Sequence, residues 1–262
     1  MEIIVCVKQV PGTSEVAVDP VTGVLKRDGV ESKLNPYDLY AIETALTLAE
    51  KYGGRVRTLS MGPQQAKAVV LETVYMGASG GLLVSDRAFA GSDVLATSYT
   101  LSQAIRKMGR FDLILCGKQT TDGDTAQVGA EVAEFLGIPH AGNVLSITDV
   151  DDGGVTVSAN LDAYIATQRM PLPSLICMDA EVNTPRLPSY LKKKQTGENV
   201  ISAISLADFE DTDKSHYGLS GSPTQVERIF PPEKNVSREV LTGGNMALAH
   251  KLYGVLQQRK FI

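Results

Sequence analysis

Short, almost wholly apolar runs alternate along the chain with longer stretches whose apolar residues recur every three or four positions. Glu2–Val7 (EIIVCV) and Phe111–Cys116 have the length and nearly all-apolar character of strands buried on both faces of a parallel sheet, and Arg55–Met61, Gly80–Val84 and Ser174–Met178 read as further strands. Between the first four, the spacing predicts helices. One starts at Asn35 (N-cap), Pro36 (first helical position) and Asp38 (first turn); it carries the stripe Leu39, Ile42, Ala45, Leu46 and Ala49, and ends at Gly53-Gly54. Gln64–Met76 forms a second, closed by Gly77. A third covers Asp93–Met108, with Leu95, Tyr99, Leu101 and Ile105 among its apolar positions. A fourth covers Thr125–Leu136, with Val128, Val132, Phe135 and Leu136 on one face and Asp124 and Gln127 as a capping box. Strand–helix alternation of this kind predicts an α/β fold with a doubly wound, mainly parallel sheet and right-handed crossovers.

The rhythm changes in two places. Asp19–Lys33 reads as a hairpin or irregular excursion with turn residues Gly23 and Gly29. After Gly137-Ile138-Pro139, strand candidates Asn143–Asp149, Gly154–Ala159 and Ala163–Arg169 follow without helices, and Asp151-Asp152-Gly153-Gly154 marks an added antiparallel hairpin. Arg186–Lys193 reads as a short helix or loop with a basic end. From Thr196 the chain turns polar, with one strand candidate at Ile201–Ile204, a stretch rich in Asp, Gly and Ser over Asp208–Thr224, and a last helix at Arg238–Gln258. The expected division is a nucleotide-binding α/β domain over residues 1–195 and an extended C-terminal arm over 196–262, lying across another subunit.

Composition narrows the classes. The 262 residues can bury a sizeable core, and a formal net charge of −5 makes no electrostatic case for nucleic acid. No apolar run approaches the roughly 20 residues that span a bilayer, so no membrane insertion is expected. The first residues enter a strand directly, without a basic leader. Cys6, Cys116 and Cys177 sit singly in apolar runs without C-x-x-C spacing, as reduced core cysteines of a cytoplasmic protein do. His140, His216 and His250 lack metal-ligand spacing, and no Ser/His/Asp or Cys/His combination has supporting context. No metal and no catalytic acid, base or nucleophile is assigned.

The candidate chemistry centres on Phe111–Gly129 (FDLILCGKQTTDGDTAQVG). A loop between a strand's carboxyl end and a helix start leaves N–H groups pointing outward, at the positive end of the helix dipole, where phosphate binds. The loop is neither a Walker A sequence nor G-x-G-x-x-G. Asp122 and Asp124 would repel a diphosphate if they faced it. They are expected to cap the helix or to reach a ribose hydroxyl while the backbone holds the phosphates.

Four segments in order then carry a resemblance. Val5-Cys6-Val7-Lys8, Asn35-Pro36-Tyr37-Asp38, Ser60-Met61-Gly62-Pro63 and Gly117-Lys118-Gln119 running to Gln127-Val128-Gly129 are similar to the beta subunit of electron-transferring flavoproteins. That resemblance implies a fold related to adenine-nucleotide alpha hydrolases and an arm embracing the alpha subunit. It places the adenine end of a nucleotide at Cys6 (through its backbone), Asn35, Pro36, Tyr37, Asp38 and Met61. The pyrophosphate falls against Asp122, Gly123, Asp124, Thr125, Ala126, Gln127, Val128 and Gly129, with Gly117 at the strand end.

Phe89–Ser98 (FAGSDVLATS) and Gly218–Pro223 (GLSGSP) look like segments of the electron-bifurcating branch, which carries FAD where housekeeping members carry AMP. Ser92, Asp93, Thr97 and Ser98 would then offer small polar groups to the flavin. The resemblance implies hydride from NADH, one electron passing to ferredoxin or flavodoxin, and the other passing through the alpha-subunit FAD to a partner dehydrogenase of acyl-CoA or hydroxy-acid type. Thr184–Lys194 corresponds to the family's partner-recognition loop, with Tyr190 or Leu191 as anchor and Lys192 beside it. Two alternatives stand: a plain electron carrier with AMP, and a non-redox nucleotide-binding regulator of universal-stress type. The long arm and the lack of a Gly-rich phosphate loop argue against the second.

Overall fold

The computed structural model describes residues 1–12, 32–227 and 238–262, in two compact units, Met1–Glu227 and Arg228–Ile262. The first unit begins with β1 (Glu2–Cys6), β2 (Gln9–Pro11) and β3 (Ser32–Leu34), then α1 (Pro36–Tyr52), β4 (Arg55–Met61), α2 (Lys67–Met76) and β5 (Gly80–Val84). It continues through α3 (Val94–Met108), β6 (Leu113–Gly117), α4 (Val128–Leu136), β7 (His140–Asp151), β8 (Gly154–Asn160), β9 (Ile165–Met170), β10 (Ser174–Met178), α5 (Tyr190–Gln195) and β11 (Ile201–Ile204). In the second unit the helix α6 spans Asn245–Gln258, later than the expected start at Arg238. No described helix is long and apolar enough to cross a membrane.

Among the described residues the main sheet has nine strands in the order β11-β5-β4-β1-β6-β10-β7-β8-β9. Every neighbouring pair from β11 to β7 is parallel; β7–β8 and β8–β9 are antiparallel. β2 and β3 make a separate antiparallel pair, and the rest of the expected Asp19–Lys33 excursion lies outside the described residues, apart from Ser32 and Lys33 in β3. The alternation of buried side chains explains the layers. Ile3 and Val5 face Ile42, Leu46, Val69 and Val70 of α1 and α2, whereas Ile4 faces the layer of Leu101, Ile105, Val132 and Ala133 from α3 and α4. Ile3, Ile4, Val5, Leu113, Ile114 and Leu115 are each at most 1% exposed. Each such burial is worth about 1.5–3 kcal/mol, so β1 and β6 form the stable centre.

Three expectations are corrected. Helix α4 begins at Val128, three residues late, because Asp124 and Ala126 have φ of 57° and 56°, which no α-helix accommodates. Of the apolar positions of α3, Leu101 and Ile105 are buried and Leu95 is 42% exposed. The short basic helix is α5, starting at Tyr190. The expected boundary at 195/196 falls inside the first unit: β11 hydrogen-bonds to β5 as an edge strand, and the chain stays with this unit to Glu227. Buried Phe209 and Tyr217 hold that stretch by packing with Phe89, while Tyr99 adds a further ring contact to Tyr217. Tyr99 also donates to Asp211 Oδ2 (2.5 Å), which is shared with His216 Nδ1 (2.6 Å).

Candidate functional site

Strand order reverses beside β1. The chain passes from β1 through α1 to β4 on one side, and returns from β5 through α3 to β6 on the other. Open α/β sheets bind ligands outside the strand carboxyl ends at such a switch point. Cys6, Met61 and Gly117 end the three strands there, and Asn35, Pro36, Tyr37 and Asp38 begin the helix between two of them.

Asn35 organises this edge. It stands at the N-cap position of α1 but caps nothing with its side chain. Instead its fully buried amide donates to Asp38 Oδ1 (2.8 Å) and to the carbonyl of Gln119 (2.9 Å), and accepts from the N–H of Thr121 (3.3 Å). Asp38 Oδ2 accepts from the N–H of Lys8 (2.8 Å). Burial pushes the Asp38 carboxyl up to about 7, against the donors Asn35, Lys8 and Gly117, which favour its charged form. The helix start thus fastens the loop after β6 to the end of β1. Gly117 makes the approach possible, because a Cβ there would lie 2.5 Å from Asp38 Oδ1 and 2.6 Å from the carbonyl carbon of Tyr37.

The two loop carboxylates neither cap α4 nor stand free. Lys8 Nζ grips Asp122 through both oxygens (2.8 and 2.9 Å) and holds its carboxyl below the usual range against the opposing effect of burial. Asp124 accepts from Gln119 Nε2 rather than from the helix. Gln127, at the N-cap position of α4, makes no side-chain cap, and no side chain among the described residues accepts from the first N–H groups of the helix. Asp124 and Ala126 both have positive φ, the left-handed conformation that occurs in backbone anion-binding concavities, and the Asp124 N–H itself donates to the carbonyl of Thr120 (3.0 Å). Gly123 and Thr125 are exposed in this loop, and Val128 and Gly129 open the helix. The residues fit a nucleotide pyrophosphate: a backbone donor set, one neutralised carboxylate and one turned aside. Lys8 is the element that sequence reasoning missed. The available signal was a lysine directly after the apolar run of β1.

The polar cluster before α3 is partly committed to the protein. Asp93 caps α3 by accepting from the N–H of Ala96 (3.1 Å). Its other oxygen accepts from Thr224 N (3.0 Å) and Thr224 Oγ1 (2.8 Å), and its own N–H donates to Ser222 Oγ (2.8 Å). Ser92 Oγ donates to the carbonyl of Phe89 (2.8 Å), and buried Ser98 donates to that of Val94 (2.8 Å). Thr97 alone of the four keeps a half-buried hydroxyl without a hydrogen-bond partner among the described residues. Here the fit to a flavin edge narrows to Thr97 and the backbone.

On the flank, Arg186 is clamped by Glu43 (2.9 Å) and Glu50, and these hydrogen bonds hold the Glu50 carboxyl, as the Arg186 contacts hold that of Glu43, below the usual range. The clamp presents Leu187 (87% exposed), Tyr190 (71%) and Leu191 (63%) together. Lys194 lies over the Tyr190 ring (4.9 Å), while Lys192 Nζ turns toward Gly77, 3.3 Å from where a Cβ would stand. Leu187 was missed in the sequence; its signal was an apolar residue between Pro185-Arg186 and Pro188.

Residues 22–208 match the model of the electron transfer flavoprotein domain, about seven-tenths of the chain. The chain belongs to the electron transfer flavoprotein beta-subunit family. It is 42% identical over 241 residues to the electron transfer flavoprotein subunit beta of Clostridium acetobutylicum, covering 92% of each chain. It is 44% identical over 246 residues to the corresponding subunit of Megasphaera elsdenii, covering 90% of this chain and 89% of that one. A third relative, the caffeyl-CoA reductase-Etf complex subunit CarD of Acetobacterium woodii, is 39% identical over 266 residues, covering all of both chains. Membership in the electron transfer flavoprotein family implies flavin involvement in the complex to which the chain contributes.

Proposed function

We propose that this chain is the beta subunit of a cytoplasmic heterodimeric electron-transferring flavoprotein and seats FAD at the β1/β6 switch point. NADH is the electron donor; the acceptors are ferredoxin or flavodoxin and, through the alpha-subunit FAD, a partner dehydrogenase of acyl-CoA or hydroxy-acid type. The observation that carries this reading is the junction of the loop after β6 with α4, where the helix start has no side-chain cap while Lys8 neutralises Asp122 and Gln119 holds Asp124. Asn35 and Asp38 orient the loop, Cys6, Tyr37 and Met61 border the adenine end, and Thr97 offers a hydroxyl near the start of α3. A bound flavin supplies both two-electron and one-electron redox chemistry; the chain supplies binding, orientation and access.

The name of the Acetobacterium woodii relative, a subunit of a reductase–Etf complex acting on caffeyl-CoA, supports an acyl-CoA-type partner. Docking is assigned to Leu187, Tyr190 and Leu191, with Lys192 at the margin of the patch. Residues 228–262 are assigned to the alpha subunit, since α6 buries none of its residues.

The second reading, AMP in place of FAD, is favoured by the commitment of Asp93 and Ser98 to protein partners. Purification with the partner subunits, acid extraction and chromatography decide between them. Two flavins per alpha–beta pair with NADH-dependent reduction support the first reading. One flavin plus AMP supports the second. A nucleotide-bound homodimer without flavin moves the chain to the universal-stress reading.

A further inference from the structure

Cys6, Cys116 and Cys177 are far apart in sequence, yet strand register lines them up. Cys6 on β1 is opposite Cys116 on β6, and Cys116 is opposite Cys177 on β10. All three are free thiols. Cys116, in the middle, is 7% exposed, and the thiols of Cys177 and Cys6 beside it, with its burial, push its own thiol well above the usual thiol range. Cys6 and Cys177 are half-buried. The row carries the first turn of α4: a Cβ on Gly129 would lie 2.3 Å from Cys177 Sγ and 3.7 Å from Cys116 Cβ.

Neighbouring strands lie about 4.8 Å apart, within the roughly 4.4–6.8 Å that disulfide-linked Cα atoms span. Cys6 and Cys177 are two strands apart, beyond that range. Any disulfide within the row therefore includes Cys116.

We propose that the row is a thiol-modification site for low-molecular-weight disulfides, in which Cys116 pairs with Cys177 or Cys6 and a filled nucleotide seat shields the site. The thiolate of the half-buried cysteine attacks one sulfur of the small disulfide and expels one small thiolate. Cys116 then gives up its proton and attacks the protein sulfur of the mixed disulfide, expelling the second. One small disulfide is reduced to two thiols, two cysteines are oxidised to one disulfide, and the two protons they lose end on the leaving thiolates. Shielding follows from position, since the thiols lie beneath the turn whose N–H groups face the pyrophosphate. That part rests on the nucleotide reading above; the pairing through Cys116 does not.

The test treats the chain, co-purified with its partners, with glutathione disulfide, and maps cysteines by mass spectrometry before and after dithiothreitol. A dithiothreitol-reversible disulfide containing Cys116 is expected. FAD or AMP added to nucleotide-stripped protein at about ten times its Kd slows its formation about tenfold, the share of open seat that mass action leaves. Cys177→Ser diverts the pairing to Cys6–Cys116, and Cys116→Ser leaves only mixed disulfides. Oxidation that never includes Cys116, in the wild type or in Cys177→Ser, overturns the site. Equal rates with the seat filled and empty overturn the shielding. Extraction of the untreated complex reports independently whether any nucleotide is bound, so failure of the nucleotide reading is distinguished from failure of the thiol pairing.

Discussion

Asp93 and Thr224, 131 residues apart, are joined at a single carboxylate oxygen that accepts from both the backbone N–H and the hydroxyl of Thr224. The bond closes the strap that runs from β11 to Glu227 back onto the start of α3, where Ser222 adds a third link to Asp93. Thr224→Val removes the hydroxyl bond and keeps the backbone one. The loss expected is about 1 kcal/mol, the net worth of one hydrogen bond, read by urea unfolding. Amide exchange should rise in the first turn of α3 and stay unchanged in α1.

Asn35 serves three partners from a fully buried position. Asn35→Ala orphans the Gln119 carbonyl and the Thr121 N–H and removes a donor from Asp38. With two part-buried groups left unsatisfied, at the lower end of about 1–3 kcal/mol each, the expected cost is about 2–3 kcal/mol in unfolding free energy. If the loop after β6 seats a nucleotide, the purified variant also retains less of it on extraction. A variant as stable as the wild type would show that this bridge contributes nothing.

What could be read from the sequence divides along physical lines. Strands β4, β5, β10 and β11 fall on the expected residues: β5 and β10 because a parallel strand inside the sheet leaves a short apolar run, β4 because Gly53-Gly54 and Gly62-Pro63 bracket it, and the edge strand β11 because Ile201 and Ile204 bound a short run in a polar stretch. The start of α4 was not legible: Thr125 and Gln127 look helical, and only the positive φ at Asp124 and Ala126 shows that the backbone has not yet turned into a helix. The strap beyond Ile204 was read as an arm because its composition is polar, yet two buried aromatic residues eight apart, Phe209 and Tyr217, anchor it by packing with Phe89 while most of it stays exposed. The Lys8–Asp122 pair and the cysteine row were beyond reach for another reason. Each depends on which strands are neighbours, and strand order is not a property of any single segment.

Gly129 has no room for a side chain above the thiols. Gly129→Ala sets a methyl group 2.3 Å from Cys177 Sγ, so the helix start or the thiol must move. Overpacking of this kind costs about 1–3 kcal/mol. Cys177→Ala in the same chain removes the obstructing sulfur and should restore most of the loss. A double variant no more stable than Gly129→Ala alone would mean that the clash lies elsewhere, with Cys116 or Leu175.

Asp38 gives the protein a pH dependence of unusual sign for a carboxylate. Its folded value is raised from 3.8 to about 7, with burial outweighing the donors that face it. Below pH 4 both folded and unfolded chains carry the proton, and its contribution to stability is fully present. Between about 4 and 7 the unfolded chain loses the proton while the folded chain keeps it, so stability falls as pH rises, until both are ionised above 7. At about 1.4 kcal/mol per unit, the change is on the order of 4 kcal/mol across that window. Asp38→Asn has no proton to lose and bears only a constant cost, because its amide turns a donor toward Lys8 N–H or Asn35. Chemical unfolding of both chains from pH 4.5 to 8 should therefore show the variant gaining steadily on the wild type and levelling off above 7. A difference that stays flat across this range would mean that Asp38 is ionised throughout, its charge held by Lys8, Asn35 and Gly117.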